Sequence, residues 1–164
     1  MIAPVPLPDD ALLRRYEQQP GAYTDCFSAD TPDTVPFERF VAAFYTTPLF
    51  KLERLVLRLA LRRPSTDAEA ADLAANKRES FAAWTVEARR ANQLLMRDLA
   101  GATRSWFMVE PLPDGTSTRV FFGSAVVPRS GEAKLGWPFH LLLGFHKLYS
   151  RALLATALRR LRRG

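Results

Sequence analysis

The sequence predicts an α+β domain in which a curved antiparallel sheet packs on a long carboxy-terminal helix, with two or three helices inserted after the first strand. Three features of the chain indicate this architecture. Residues 36–62 carry apolar side chains at helical spacing, residues 81–129 are rich in β-formers divided by turn residues, and residues 138–163 carry a broad apolar face. A sheet with one apolar face needs a covering layer of matching length, and the last segment is expected to provide it.

The composition is that of one globular domain. The chain has 164 residues, of which 48% are hydrophobic and 24% charged, and a chain of this size can bury about 70% of its unfolded surface. We expect a single domain over 1–164, with 1–21 as an amino-terminal extension and 22–163 as the core. The amino-terminal residues lack the apolar centre of a secretory signal, and the one cysteine, Cys26, cannot form an internal disulfide. These features favour a reducing, cytoplasmic location.

The first part of the chain predicts a short helix, a strand and a longer helix. Residues 9–19 can form the short helix, and residues 23–30 alternate as a strand near a sheet edge. Thr34 offers a cap for a helix that begins near Pro36. The apolar positions of that helix share one face, which must be buried: Phe37, Phe40, Val41, Phe44 and Tyr45.

Two further helices are expected before the sheet continues. Pro48 begins a helix whose apolar stripe lies opposite a basic one. The stripe consists of Leu49, Leu52, Leu55, Val56 and Leu59, and the basic residues are Lys51, Arg54, Arg58 and Arg62. Residues 67–80, capped by Ser65, Thr66 or Asp67, are rich in alanine and predict a third helix at the surface.

Four consecutive strands then predict an antiparallel meander, which brings the number of strands to five. Their segments are 84–90, 92–98, 103–112 and 117–129, and Asp114-Gly115 supplies the clearest turn. The last helix, over residues 138–163, would be about 39 Å long. Its Gly144 marks a kink or a close backbone approach.

The candidate binding residues follow from the alternation of side chains along the strands. One face carries Trp84, Val86 and Ala88, another carries Arg104, Trp106 and Met108, and a third set is Val120, Phe122 and Ser124. A cavity between sheet and helix would be lined by Trp84, Arg104, Trp106, Phe122, Leu142, His146 and Tyr149, with Ser105 and Ser124 as weaker candidates. Ordinary core packing is the competing interpretation of these aromatic residues.

Three arginines, Arg89, Arg97 and Arg104, occupy comparable points of successive strands. Outward solvation is the simplest expectation for them. An inward guanidinium would need a partner, either a carboxylate on a ligand or one of the nearby acidic residues, Glu87, Asp98 and Glu110.

The excess positive charge lies at the carboxyl end. The formal net charge is +6, and no acidic residue follows Glu132, whereas seven basic residues do. A solvated basic helix end explains this pattern. Contact with an anionic membrane through Arg159, Arg160, Arg162 and Arg163 is an alternative. Nucleic acid is not expected as a partner, because no aromatic residue interleaves with these arginines.

Familiar catalytic and metal-binding motifs are absent from the sequence. His140 and His146, the only histidines, are six residues apart and therefore about 240° apart around a helix, so they cannot chelate one metal. Cys26 is expected to be an apolar filler. The sequence thus predicts no catalytic set, no metal site and no cofactor.

The order of elements, together with the segments LERLVLRLAL, TRSWFMV, TRVFFGSAVVP and GFHKLYSRALL, resembles the START-like (SRPBCC) superfamily. Within it, the Phe145, His146 and Arg151 pattern is similar to a bacterial family whose activity is not established. The resemblance implies a helix-grip fold, in which the sheet wraps the last helix. The superfamily has about seven strands, against five here, so a small or partly collapsed cavity is expected.

Three functions are compatible with these observations. The first is noncatalytic binding of a small hydrophobic or amphipathic ligand between sheet and helix. The second, which the resemblance implies, is a polyketide cyclase or aromatase in which His146, Tyr149 and an inward arginine would act. The third is a peripheral membrane or protein-interaction module that uses Leu153, Leu154, Leu158 and Leu161 with the terminal arginines.

Overall fold

The computed structural model describes residues 1–62, 64–128 and 137–162, and side chains in these ranges except those of residues 53, 56–61 and 137–148. The predicted α+β class is confirmed. A curved antiparallel sheet of seven strands has the order β1-β2-β7-β6-β5-β4-β3. The strands are β1 (Ala3–Pro4), β2 (Tyr23–Thr31), β3 (Ser80–Phe81), β4 (Trp84–Arg90), β5 (Gln93–Asp98), β6 (Thr103–Pro111) and β7 (Thr118–Val126).

The five long strands are those that the sequence predicts, but the expected total of five is wrong. The two additional strands, β1 and β3, have two residues each and lie at the two edges of the sheet. Strands this short carry no recognisable alternation, so only their pairing with β2 and β4 identifies them.

Among the described residues, three α-helices lie between β2 and β3, within the expected two or three, and the short helix predicted over residues 9–19 is a 3-10 helix at Leu12–Tyr16. The α-helices are α1 (Phe37–Tyr45), α2 (Pro48–Leu61), α3 (Asp67–Ala74) and α4 (Trp137–Leu161). Local chemistry explains where α2 and α3 begin: Thr47 caps α2, and Thr66 forms a capping box with Glu69. The expected Thr34 cap of α1 is wrong, because Pro36 is the N-cap and the Thr34 hydroxyl donates to Thr116 instead.

The sheet is covered on both faces, which gives the molecule two hydrophobic clusters. Helices α1, α3 and α4 pack on one face, which we call the helix face. The amino-terminal segment, including a 3-10 helix at Leu12–Tyr16, packs on the other face, which we call the strap face. Residues 1–21 are therefore part of the fold, since Leu7, Leu12 and Leu13 are buried there.

One prediction about the strand faces is wrong. Trp84 and Val86 pack on the helix face as expected, but Ala88 packs on the strap face. The register of β4 against β5 shifts between Val86 and Ala88, and this bulge reverses the side that later residues present.

Helix α2 has an unexpected orientation around its own axis. Phe50 and Arg54 are buried, whereas Leu52 and Leu55 from the predicted apolar stripe are exposed. Within residues 1–62, 64–128 and 137–162, none of the helices has both the length and the hydropathy of a bilayer-spanning segment.

Candidate functional site

A cavity of about 190 Å³ lies between the helix face of the sheet and α4. Strands β4, β6 and β7 form one wall, and α1, α2 and α4 supply the rest. Its lining residues are Phe44, Phe50, Trp84, Thr103, Arg104, Ser105, Phe122, Ser124, Tyr149, Ser150 and Leu153.

Aromatic side chains make up the apolar part of the wall. Phe44 comes from the buried face of α1, and its ring centroid lies 4.7 Å from that of Phe122 on β7 and 6.1 Å from that of Phe50 on α2. Phe50 is held by the Thr47 cap, whose hydroxyl accepts a hydrogen bond from the Phe50 amide at 3.1 Å. Three elements therefore fix this wall through tilted ring contacts.

Hydroxyl groups make up the polar part of the wall. Ser105 and Ser124 are cross-strand partners on β6 and β7, and Ser150 belongs to α4. The Ser124 hydroxyl donates to Asp25 Oδ1 at 2.5 Å, and its amide donates to the same oxygen at 3.1 Å. The wall thus combines rings with small neutral polar groups, which suits a ligand of mixed polarity.

The Asp25 carboxylate also affects its neighbours on β2. Burial raises the pKa of Tyr23 to about 12, and the negative charge of Asp25 and a hydrogen bond to it act in the same direction. Burial likewise raises the pKa of Cys26 to about 12, with contributions from Asp25 and Glu17. Both groups therefore stay protonated at neutral pH, and Cys26 is a buried filler as expected.

The side chains of three of the seven predicted binding residues line the cavity, and these residues are Trp84, Phe122 and Tyr149. The predicted position of Trp106 is wrong, because its side chain packs on the strap face and is fully buried there. Its indole N–H donates to Gln93 Oε1 at 2.9 Å, and the same oxygen accepts from the Leu12 amide at 2.9 Å. The side chains of Leu142 and His146 lie outside the described residues.

The Arg104 side chain also reaches the strap face, so the prediction that its guanidinium contacts a ligand in the cavity is wrong. Its Nε donates to Glu87 Oε2 at 2.6 Å and to the Tyr16 hydroxyl at 2.8 Å. Since neighbouring residues on a strand point to opposite faces, Arg104 borders the cavity with its backbone.

The three strand arginines have different surroundings, and the expected solvation holds for only one. Arg97 is exposed, Arg104 is only 8% exposed, and Arg89 is half-buried and donates to the backbone oxygen of Leu73 at 2.9 Å. Glu87, one of the three predicted partners, is the residue that pairs with Arg104.

Tyr16 completes this buried cluster of Tyr16, Glu87 and Arg104, which we call the strap cluster. The Tyr16 hydroxyl donates to Glu87 Oε1 at 2.5 Å, and the Arg104 guanidinium lies 4.8 Å from the centre of its ring. Burial raises the pKa of Tyr16, and the bond to Glu87 adds to this while Arg104 opposes it. The cluster satisfies its own charges and ties the amino-terminal segment to the sheet.

Sequence reasoning missed several parts of these sites. Phe50 was recognisable only as an apolar residue after a cap, and Thr103 and Ser150 carried no pattern of their own. Tyr16 is 88 residues away from Arg104 in sequence, so no local signal connects the two. Among the described residues, no group of three or more His, Cys, Asp or Glu side chains is arranged to hold a metal ion.

Comparison with known proteins gives no assignment. No family model matches the chain, and no curated protein is significantly similar to it.

Proposed function

We propose that this protein binds a small, neutral, ring-containing ligand in the cavity between the sheet and α4, without catalysing its conversion. The observation that carries the proposal is the lining, which joins Phe44, Phe50, Trp84 and Phe122 to several hydroxyl groups. The rings favour an apolar body, and the hydroxyls favour one or two hydrogen-bonding groups on it.

The size of the cavity narrows the ligand class. A cavity of about 150 Å³ holds a benzene molecule, whereas drug-sized ligands occupy about 300 Å³ or more. The cavity here, at about 190 Å³, therefore suits a single ring with one or two small substituents. A long acyl chain is too large for it.

The charge of the lining narrows the class further. Among the described lining residues, only Arg104 carries a positive charge, and its guanidinium is engaged on the strap face. A charged ligand would lose its hydration on entering the cavity and would find no opposite charge among the described lining residues. Burying an unpaired charge in this way is unfavourable. A phenol or a simple aromatic alcohol is the type of compound that fits.

The sheet over a long carboxy-terminal helix is compatible with a helix-grip fold, and we propose that the chain is START-like on this basis. A cavity between the sheet and that helix is where such a fold would hold its ligand. The proposal of binding rests on the cavity and not on this assignment.

Trp84 allows a direct test. Phenol, p-cresol, toluene and decanoic acid would be titrated while Trp84 emission and the Tm are measured. A ligand present at about 100 times its Kd stabilises the native state by about 2.7 kcal/mol, which raises Tm by about 5–11 °C in a domain of this size. The ring compounds are expected to bind and decanoic acid is not.

A cavity-filling variant, Ser105→Leu, supplies the control. It should remove the ligand-dependent rise in Tm, while Thr85→Leu, at an exposed position of β4, should keep it. Trp84→Phe identifies the emission that belongs to the cavity. If no ring compound raises Tm, or if Ser105→Leu responds as the parent protein does, the proposed function is wrong.

A further inference from the structure

Helix α2 presents leucines to solvent and buries an arginine. Leu52 is 59% exposed and Leu55 48%, whereas Arg54 is 9% exposed. Burial normally favours the opposite choice, because Leu gains free energy on leaving water and an arginine charge loses it. The orientation of α2 therefore requires a specific cause, and it leaves an apolar surface open to a partner.

The cause is a set of contacts made by Arg54. Its Nε donates to the Ser65 hydroxyl at 2.9 Å, and its Nη1 donates to Asp67 Oδ1 at 2.6 Å. Its guanidinium also lies 5.5 Å from the centre of the Phe81 ring. A helix turns about 100° per residue, so fixing Phe50 and Arg54 inward directs Leu52 and Leu55 outward.

Several basic side chains lie near the beginning of α2. Pro48, one turn before Leu52, lines an open groove of about 830 Å³ that is also lined by Arg39, Arg159 and Arg160. The acidic lining residue Asp67 is paired with Lys51 and Arg54. Arg159, Arg160 and Arg62 are exposed, and the Lys51 side chain is 47% exposed beside Asp67. Leu52 is thus one helical turn from a groove that the basic end of α4 also lines, in a chain whose net charge is +6.

The end of α4 provides charge but no apolar contact. Leu153, Leu154, Leu158 and Leu161 are all at most 8% exposed, because they pack in the core. An interfacial helix needs both apolar side chains and basic ones. In this molecule the two requirements are divided between α2 and the end of α4.

We propose that this surface, formed by Leu52 and Leu55 of α2 with Arg62, Arg159 and Arg160, docks on an anionic lipid membrane. The leucines are exposed and are not among the residues that line the groove, so they suit insertion between headgroups. The arginines suit anionic headgroups. A second copy of the chain would bring two strongly positive surfaces together, which opposes self-association.

Vesicle sedimentation tests the proposal with the full chain. Phosphatidylcholine vesicles with and without a third of phosphatidylglycerol would be compared at low and high salt. Binding is expected only with phosphatidylglycerol, and high salt should weaken it. Each arginine at such a surface contributes a factor of about five, so Arg159→Gln/Arg160→Gln should lower the partition coefficient about 25-fold.

Matched variants distinguish binding through this surface from nonspecific adsorption of the protein to vesicles. Leu52→Gln/Leu55→Gln should lower the partition coefficient about ten-fold or more, whereas Leu99→Gln should not, although Leu99 is 46% exposed. Lys77→Gln/Arg97→Gln, at two exposed positions outside α2 and α4, should have a much smaller effect than the α4 pair. All these positions are exposed, so each variant is expected to keep the parent Tm.

Several outcomes would overturn the proposal. They are absence of sedimentation with anionic vesicles at low salt, equal binding to neutral vesicles, and equal losses for the Leu99 and the α2 leucine variants. Retention on polyglutamate beads without vesicle binding would assign the surface to an acidic protein instead. A dimer in sedimentation equilibrium that the leucine variant abolishes would assign it to a second copy.

Discussion

Removing Glu87 should destabilise the protein strongly, because it leaves the Arg104 charge buried without its partner. The Arg104 side chain is 9% exposed and that of Glu87 18%, and the two are joined at 2.6 Å. Breaking a buried pair of this kind costs about 3–5 kcal/mol. We therefore expect Glu87→Ala to lower Tm by about 6–20 °C.

The same sheet contains an exposed pair that serves as a control. Arg119 donates to Asp30 through Nε at 2.6 Å and Nη2 at 2.9 Å, with side chains 41% and 48% exposed. Exposed pairs contribute about 0–1 kcal/mol, so Asp30→Ala should cost no more than about 1 kcal/mol. The two pairs have the same chemistry, and burial is the main difference between them.

Urea denaturation at neutral pH measures both free energies of unfolding. The double variant Glu87→Gln/Arg104→Met removes the uncompensated charge and should recover most of the loss, because apolar replacement of a buried pair is often nearly neutral. If Glu87→Ala costs no more than Asp30→Ala, or if the double variant is no more stable than Glu87→Ala, the reasoning is refuted.

Three further predictions concern the strands β2 and β7. Gly123→Ala should cost about 1–3 kcal/mol in urea denaturation, because the added Cβ would lie 2.9 Å from the backbone oxygen of Asp25; an unchanged midpoint would contradict this. Burial is the main cause that raises the pKa of Cys26 to about 12. Cys26 should therefore react with iodoacetamide only on unfolding, and rapid labelling of native protein would contradict this. The hydrogen bond from Arg119 holds the pKa of Asp30 below 3.8. The difference in unfolding free energy between the parent and Asp30→Asn should therefore persist above that pH and disappear as the pH falls through the folded-state pKa. A difference that remains in acid would count against the bond.

Three of the residues that the sequence predicted for the candidate site lie at the cavity. Trp84, Phe122 and Tyr149 line the cavity because their helix or strand positions place them between sheet and helix. Trp106 was misplaced because β6 is apolar on both sides, with Phe107 in one cluster and Trp106 in the other. Alternation tells which residues share a side of a strand, but it does not tell which layer covers that side.

The local sequence was sufficient to predict the α+β class, the five long strands, the beginnings of α2 and α3, and the common face of Trp106 and Met108. Each of these depends on residues close together in the chain, through periodicity, capping or turn chemistry. The tertiary structure alone decided the bulge in β4, the covering of the strap face by residues 1–21, and the buried Arg54 that turns Leu52 outward. These depend on partners far apart in sequence, such as Tyr16 with Arg104, whose contact energy arises only when the chain has folded and brings them together.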